Sequence, residues 1–210
     1  MILSGYDVKL CKVTKYDDLK ARLAMMGHSG STEWVVQRYV QDPLLVDGLK
    51  FDVRIYAVVL SIDPLIMYVC KEGICRFTTE PYVPVGVEKR KGGPDLNAHV
   101  SSYHLNKDSP KYEPPGVNAM NDDNLSSKRP LSVVFRQLKK RGLKDAYGKT
   151  LAVDEGEFWS KIDDAVAIGT ASMLPILRSA YCRAFNVEYE AMRTRPPQAH
   201  ITTSPRAQAY

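Results

Sequence analysis

The chain has 210 residues and a mass of 23.6 kDa, enough for one large domain or two small ones around a buried core. Hydrophobic residues at 44% and charged residues at 25% exclude wholesale disorder, and the longest uninterrupted apolar run, Ile55 to Leu60, is too short for a membrane-spanning helix. The formal charge of +5, from 29 basic and 24 acidic residues, favours an anionic partner without identifying it.

Val8 to Val13 alternates as a strand does, and Thr14 and Asp17 then open a short amphipathic helix carrying Tyr16, Leu19, Leu23 and Met26. Gly27 to Ser31 ends it. Trp34 to Val40, rich in β-branched and aromatic residues, reads as a strand. Asp42-Pro43 and Asp47-Gly48 are turn signals before a longer strand from Lys50 to about Ile62. Asp63-Pro64 turns the chain into Leu65 to Cys70, and Lys71-Glu72-Gly73 turns it again into Ile74 to Thr78, which predicts a small antiparallel meander. From Glu80 to Ser127 prolines and polar residues predict mostly extended or loop structure, the kind of long segment that is functional or mobile. Leu131, Val134, Phe135 and Leu138 form a helical stripe, with Pro130 allowed in its first turn. A last helix runs from about Glu155 to Phe185, with Ile162, Val166, Met173, Leu177 and Ala180 on one side and Pro175 expected to kink or divide it. After Tyr189 the chain reads as a loose tail.

The four cysteines, Cys11, Cys70, Cys75 and Cys182, are too few for a disulfide scaffold and lack zinc-ligand spacing. With no secretory pattern in the first residues, they predict a reduced, cytosolic protein, with Cys70 and Cys75 flanking a hairpin turn. Lys89-Arg90-Lys91 and Lys139-Lys140-Arg141 are short basic knots, readable as solvated faces or as a docking surface for an anion. No aromatic-basic motif points to nucleic acid.

The strand from Lys50 carries the chemistry. With a period of two, Phe51, Val53, Ile55 and Ala57 share one face while Lys50, Asp52 and Arg54 share the other. Such a row suits a nucleotide cleft: lysine meets a phosphate or ribose, aspartate accepts from a hydroxyl or helps hold a metal, and arginine forks onto phosphate or carboxylate. A half-solvated strand with self-neutralising charges gives the same pattern. Arg76, near the end of the next hairpin, is placed either to bind a carboxylate or simply at the surface. The four histidines form no metal-ligand spacing, and no Gly-rich phosphate loop or catalytic triad order is present.

Trp34 to Tyr56 closely resembles the tubulin–tyrosine ligase-like family, whose pattern is Gln-x-Tyr-Ile, then x-x-Pro-Leu-Leu-Ile-x-Gly-x-Lys-Phe-Asp-x-Arg; here Gln37-Arg38-Tyr39-Val40 precedes Pro43-Leu44-Leu45-Val46-Asp47-Gly48-Leu49-Lys50-Phe51-Asp52-Val53-Arg54. The similarity continues through Asp63-Pro64-Leu65, Tyr68, Glu72-Gly73 and Arg76 to Tyr82. It resumes at His99 to Lys107, where the family has His-Leu-Thr-Asn-Tyr-Ser-x-Asn-Lys, and at Ser127 to Ser132, similar to the polyglutamylating members.

The resemblance implies an α+β fold, ATP-grasp-like but incomplete, an antiparallel sheet with flanking helices, in which residues 1–190 form a partial domain and 191–210 a flexible tail. It implies an ATP-dependent ligase that joins an amino acid, often glutamate, to a tubulin carboxylate through an acyl phosphate, with ATP and Mg2+ as cofactors. Carried over by motif, Gln37, Arg38, Tyr39 and Val40 would be the strand edge at the adenine. Lys50, Phe51 and Asp52 would hold ATP, with Ser101 and Ser102 in the place of the family's Thr-Asn, and Arg54 would face the reacting phosphate as the catalytic residue. Arg76 would bind the incoming amino acid's carboxylate, assisted by Lys128, with His104, which replaces a serine, beside them. The implied partners are the acidic C-terminal tail of tubulin and microtubules, with neither membrane nor nucleic acid. The implied location is the cytoplasm and cytoskeleton, including the cilium, flagellum or basal body. The family's upstream phosphate-binding lysine region and its downstream Leu-Leu-Glu-Val-Asn magnesium ligands have no counterpart here; Glu188 and Glu190 lack the surrounding strand pattern. The expectation is therefore a fragment that does not ligate by itself. The alternative is an inactive module that binds nucleotide or tubulin, and a third reading is an unrelated ATP-grasp enzyme acting on a small acid.

Overall fold

The computed structural model describes residues 2–3, 8–9, 21, 24, 35–84, 95–117, 119–121, 124–144, 148–152, 154–186 and 199–203. Its centre is a hairpin of two long strands. β1 (Ile2–Leu3), β2 (Val8–Lys9) and β3 (Val35–Val36) form a small antiparallel sheet in the order β2-β1-β3. β4 (Leu45–Val46) turns through Asp47 and Gly48 into β5 (Leu49–Ile62). Both turn residues have positive φ, 54° and 77°, the requirement of a two-residue Asp-Gly hairpin. β5 then pairs antiparallel with β6 (Leu65–Phe77), closed by Asp63-Pro64.

The expected meander is thus a single hairpin. Lys71-Glu72-Gly73 is not a turn but the middle of β6, where the register shifts: Ile55 faces Gly73, while Ala57 faces Val69. Long-range contacts stabilise this irregularity. Lys71 ion-pairs with Asp163 at 2.7 Å, and Glu72 Oε1 accepts from the backbone N–H groups of Gly73 and Ser132. Gly73 is required by close approach, since a Cβ there would lie 2.7 Å from the Arg54 carbonyl oxygen. The offset is two residues, so alternation survives it, and Leu65, Met67, Val69, Gly73, Cys75 and Phe77 are all buried. Cys70 and Cys75 therefore do not flank a hairpin turn: both lie within β6, Cys70 exposed and Cys75 buried.

Beyond β6, α1 (Leu96–His99) and α2 (Tyr103–Asn106) are single helical turns in the segment expected to be loop. β7 (Lys128–Pro130) pairs with β6 and leads into α3 (Leu131–Arg141), where Pro130 precedes the first helical residue and needs no N–H. β8 (Leu143–Lys144) and β9 (Thr150–Leu151) extend the other edge, giving the strand order β10-β6-β5-β4-β8-β9 once β10 (Ala199–Thr203) is included. β10 runs parallel to Leu65–Val69 of β6. The loose tail expected from 191 onward therefore contains a paired strand; its other residues lie outside the described ones, as do most of the expected strand and helix between Val8 and Met26.

The core lies on one face of the sheet. Val46, Cys75 and Phe77 pack with Leu131, Val134, Phe135 and Leu138 of α3, joined by Phe51, Val53, Ile55, Phe158 and Trp159. Phe51 and Phe77, directly opposed across the strands, stack with ring centroids 5.3 Å apart. α4 (Glu155–Phe185) begins at an Asp154 N-cap and continues through Pro175 without dividing. Pro175 and Ala171, whose carbonyl the proline cannot serve, are both exposed, so water can take the lost bond. The buried positions of α4 are Thr170, Leu174 and Cys182, whereas Met173 and Ala180 of the expected stripe are exposed. By length and composition α4 is apolar enough to cross a membrane, so the exclusion drawn from the longest apolar run does not hold for it. Thr170 nevertheless reaches Met67 Sδ of β6 at 3.4 Å.

Candidate functional site

With Phe51, Val53 and Ile55 turned to the core, β5 presents Lys50, Asp52 and Arg54 on its other face. Phe51, carried over as nucleotide-facing, does not belong there: it is stacked on Phe77. The period of two that points Lys50 and Asp52 outward necessarily points Phe51 inward.

Asp52 sits directly opposite Arg76 on β6, and Arg76 lies opposite Lys128 on β7. The guanidinium of Arg76 donates to Asp52 from two nitrogens, with Nε 3.1 Å from both carboxylate oxygens. That hydrogen bonding raises the Arg76 pKa above its ordinary value. Arg54 lies on the same face, exposed and opposite Ile74. Arg76, Ser101, Tyr103, Asn106, Tyr112 and Lys128 line a small cavity at the end of the hairpin. Lys128 Nζ stands 4.0 Å from the centre of the Tyr103 ring, a cation–π geometry. Among the described residues of β5, β6 and β7, this face therefore gathers four cations, Lys50, Arg54, Arg76 and Lys128, against one carboxylate, Asp52.

Lys50 is turned into a cluster of its own. Its ammonium donates to the His99 carbonyl at 2.8 Å and to the Tyr39 hydroxyl at 3.2 Å, and burial lowers its pKa. The Tyr39 hydroxyl lies 2.9 Å from His99 Nδ1, and the His99 ring also meets Tyr82 edge-on at 5.1 Å. Burial, reinforced by Tyr82, pushes the Tyr39 pKa well above the usual range. Gln37, Arg38, Tyr39 and Val40 lie outside the strands, beyond the end of β3; Gln37, Arg38 and Val40 are exposed and Tyr39 is half-buried. The expected strand thus ends before the positions assigned to the adenine.

Two residues that hold this geometry carry no assigned role in the sequence reading. Asn106 is buried and makes four bonds: its Oδ1 accepts from the Thr79 N–H and hydroxyl, and its Nδ2 donates to the carbonyls of Val100 and Ser102. It thereby fixes Ser101 and Ser102 beside the end of β6. Its place in the His99–Lys107 similarity was the available signal. Arg129, next to Lys128, is 1% exposed. It donates to the Ser126 carbonyl and Gln137 Oε1 at 3.0 Å and to the Leu125 carbonyl at 3.3 Å, with its guanidinium 4.0 Å from the Phe77 ring centre. Nothing in local sequence separates it from surface arginines. His104 is exposed against the Tyr103 ring and does not line the Arg76 cavity. In the second basic knot, Lys139 pairs with Glu155 and Arg141 with Asp47, so these cations serve the fold. The first knot, and Glu188 and Glu190, lie outside the described residues. Among the described residues no three of His, Cys, Asp and Glu converge as metal ligands.

Residues 9–161 match the model of the tubulin-tyrosine ligase family. The chain is 40% identical over 148 residues to the tubulin polyglutamylase ttll-11 of Caenorhabditis elegans, covering 70% of this chain and 19% of that protein. It is 32% identical over 164 residues to the human tubulin polyglutamylase TTLL11, covering 76% of this chain and 20% of the relative. Mouse tubulin polyglutamylase TTLL13 is 31% identical over 151 residues, 72% of this chain and 16% of its own length. The chain thus spans about a fifth or less of these relatives.

Proposed function

The chain belongs to the tubulin-tyrosine ligase family, and on that footing we propose that it carries the nucleotide-facing and amino-acid-facing hairpin of an ATP-dependent tubulin polyglutamylase. The observation that carries the proposal is the cation-rich face of β5, β6 and β7, where Arg76 and Lys128 flank one cavity and Lys50, Asp52 and Arg54 continue along the sheet.

When bound, ATP would supply the γ-phosphoryl group that activates a tubulin side-chain carboxylate, with ADP leaving, so that the amine of glutamate could attack the activated carbonyl and expel inorganic phosphate as the amide forms. This chain's residues have separate tasks in that reading. Lys50 and Asp52 bind the nucleotide, the ammonium through phosphate or ribose oxygens and the carboxylate through a hydroxyl. Arg54, exposed on the same face, stabilises the negative charge of the reacting phosphate. Arg76 forks onto the α-carboxylate of glutamate, with Lys128 as a second cation and Ser101 as a hydroxyl donor in the same cavity. A positive face also suits the acidic tail of tubulin, and in this reading the protein works on microtubules in the cytoskeleton. Magnesium does not fit the described residues: the single carboxylate of this face is already paired with Arg76, so no step is assigned to a metal held by them.

A second reading is a module that binds nucleotide or tubulin without ligating, in which Asp52 keeps its pairing with Arg76. Equilibrium titration of the protein with ATP, and separately with glutamate, tests the site. ATP binding should weaken at least about tenfold in Lys50→Ala, the loss of a charge-assisted contact, and glutamate binding similarly in Arg76→Ala. Absence of binding for both ligands overturns the site. Incorporation of labelled glutamate into tubulin separates the two readings: incorporation abolished by Arg54→Ala marks a ligase, and binding without incorporation marks the module.

A further inference from the structure

The cation meant for the incoming carboxylate is already occupied. Arg76 is held from two nitrogens by Asp52, with both partners only partly exposed, so a ligand carboxylate entering the cavity must displace Asp52 or share the fork with it. The neighbouring cation differs: among the described residues Lys128 has no carboxylate partner and rests on the Tyr103 ring. Within its own strand Asp52 lies between Lys50 and Arg54, on the face that the proposed function gives to nucleotide. One carboxylate therefore stands between two ligand positions and is shared by both.

We propose that Asp52 is a positioning residue that couples the two ligands: it restrains Arg76 while the nucleotide face is empty, and releases the guanidinium to a ligand carboxylate when a nucleotide hydroxyl engages it. This inference rests on the assignment of Lys50 and Asp52 to nucleotide and of Arg76 to glutamate. Its physical basis is competition for a limited set of carboxylate lone pairs. A hydroxyl hydrogen bond to one oxygen of Asp52 weakens the two-nitrogen fork, and the weakened fork lowers the cost for a second carboxylate to enter. By linkage the effect is reciprocal, so glutamate also tightens nucleotide.

The test titrates glutamate into the protein with and without the non-hydrolysable analogue AMP-PNP, in the wild type and in Asp52→Asn. In the wild type the nucleotide should tighten glutamate about two- to fivefold, the scale of a partly exposed ion pair. In Asp52→Asn glutamate alone should bind about as tightly as it does to the nucleotide-loaded wild type, and AMP-PNP should add nothing. Equal coupling in both proteins overturns the inference while leaving the site assignment intact. A wild type that binds neither ligand overturns the assignment, and the inference with it. A second measurement does not depend on the variant's folding: the Arg76 Nε–H resonance in a nitrogen-15 spectrum, identified by its loss in Arg76→Gln, should shift on addition of AMP-PNP alone. A resonance that nucleotide leaves in place overturns the coupling.

Discussion

Arg129 is the most heavily committed buried charge among the described residues, and replacing it with alanine should cost more than any surface substitution. The side chain is 1% exposed and donates to two carbonyls and to Gln137 Oε1, and its guanidinium covers the Phe77 ring 4.0 Å away. Asp47 stands 3.6 Å from it, a partner of incomplete strength, and burial dominates in lowering the Arg129 pKa. The guanidinium thus carries a desolvation penalty that its hydrogen bonds offset. Arg129→Ala removes the penalty, but it also removes three charge-assisted bonds, leaves their acceptors short of a donor, and opens a cavity beside Phe77. Typical values for each loss are about 1–3 kcal/mol and do not add fully, so we expect about 3–5 kcal/mol. Arg129→Met, which refills the volume without the bonds, should lose about half as much. Arg129→Lys keeps the charge but not the planar fork, and should fall between them. Urea denaturation followed by circular dichroism reads these differences as shifts in midpoint at constant slope. A loss below about 1 kcal/mol for Arg129→Ala would refute the view that this arginine anchors β7.

Gly73→Ala should destabilise by about 1–3 kcal/mol, because the new Cβ meets a backbone oxygen, Arg54 O, at 2.7 Å and the strand must move; an unchanged urea midpoint would contradict the close approach. Asp154→Ala should cost about 1 kcal/mol, since its carboxylate accepts from the N–H groups of Gly156 and Glu157, and Asp154→Asn should restore most of it. Burial pushes the Cys75 thiol from 9.0 up to about 12, so stability should fall as pH rises through that window, because the unfolded chain loses the thiol proton first. Because Tyr39, raised from 10.0, adds a slope of the same sign at higher pH, the discriminating stretch lies between pH 9 and 10: Cys75→Ala should flatten it, and a slope kept there would rule the assignment out. In the native protein iodoacetamide should label exposed Cys70 well before buried Cys75 and Cys182, read by mass spectrometry; equal rates would show that the hairpin is not packed as described.

Features governed by nearest neighbours were legible in the sequence. The two-residue period of β5 from Lys50 to Ile55, the Asp-Gly turn and the 131–138 stripe each depend on local geometry and are found in the structure, whereas Ala57, expected on the same face as Ile55, is exposed. The misreadings involve partners remote in the chain. Lys71-Glu72-Gly73 has turn composition, but Asp163 and the Ser132 N–H, supplied by α4 and α3, hold it inside a strand. On α4 the expected stripe differs from the buried side because counting apolar residues favours Met173 over Thr170. The buried side is instead set by where β6 lies, with Met67 taking the threonine hydroxyl. Asn106 and Arg129 look like ordinary polar residues until the carbonyls around them are in place.

The candidate site shows how strongly one such misreading matters. A turn at 71–73 would put Arg76 on a third strand, with no fixed relation to Asp52. The observed strand does more than continue: its irregularity changes which residues face each other. In the register near the closed end, where Val59 faces Met67 and Ala57 faces Val69, Asp52 would stand against Ile74 if pairing ran on undisturbed. The two-residue offset opposite Tyr56 moves Arg76 into that position and sets Ile74 against Arg54. Because the offset is even, the buried alternation of Cys75 and Phe77 is untouched while the polar face is re-paired. The ion pair on which the proposed coupling rests is therefore created by a bulge, and the bulge is held by Glu72 and Lys71 through contacts to helices on the opposite side of the sheet from Asp52 and Arg76. Packing against α3 and α4 thus determines which charges meet on the polar face, a dependence that no reading of β5 or β6 in isolation contains.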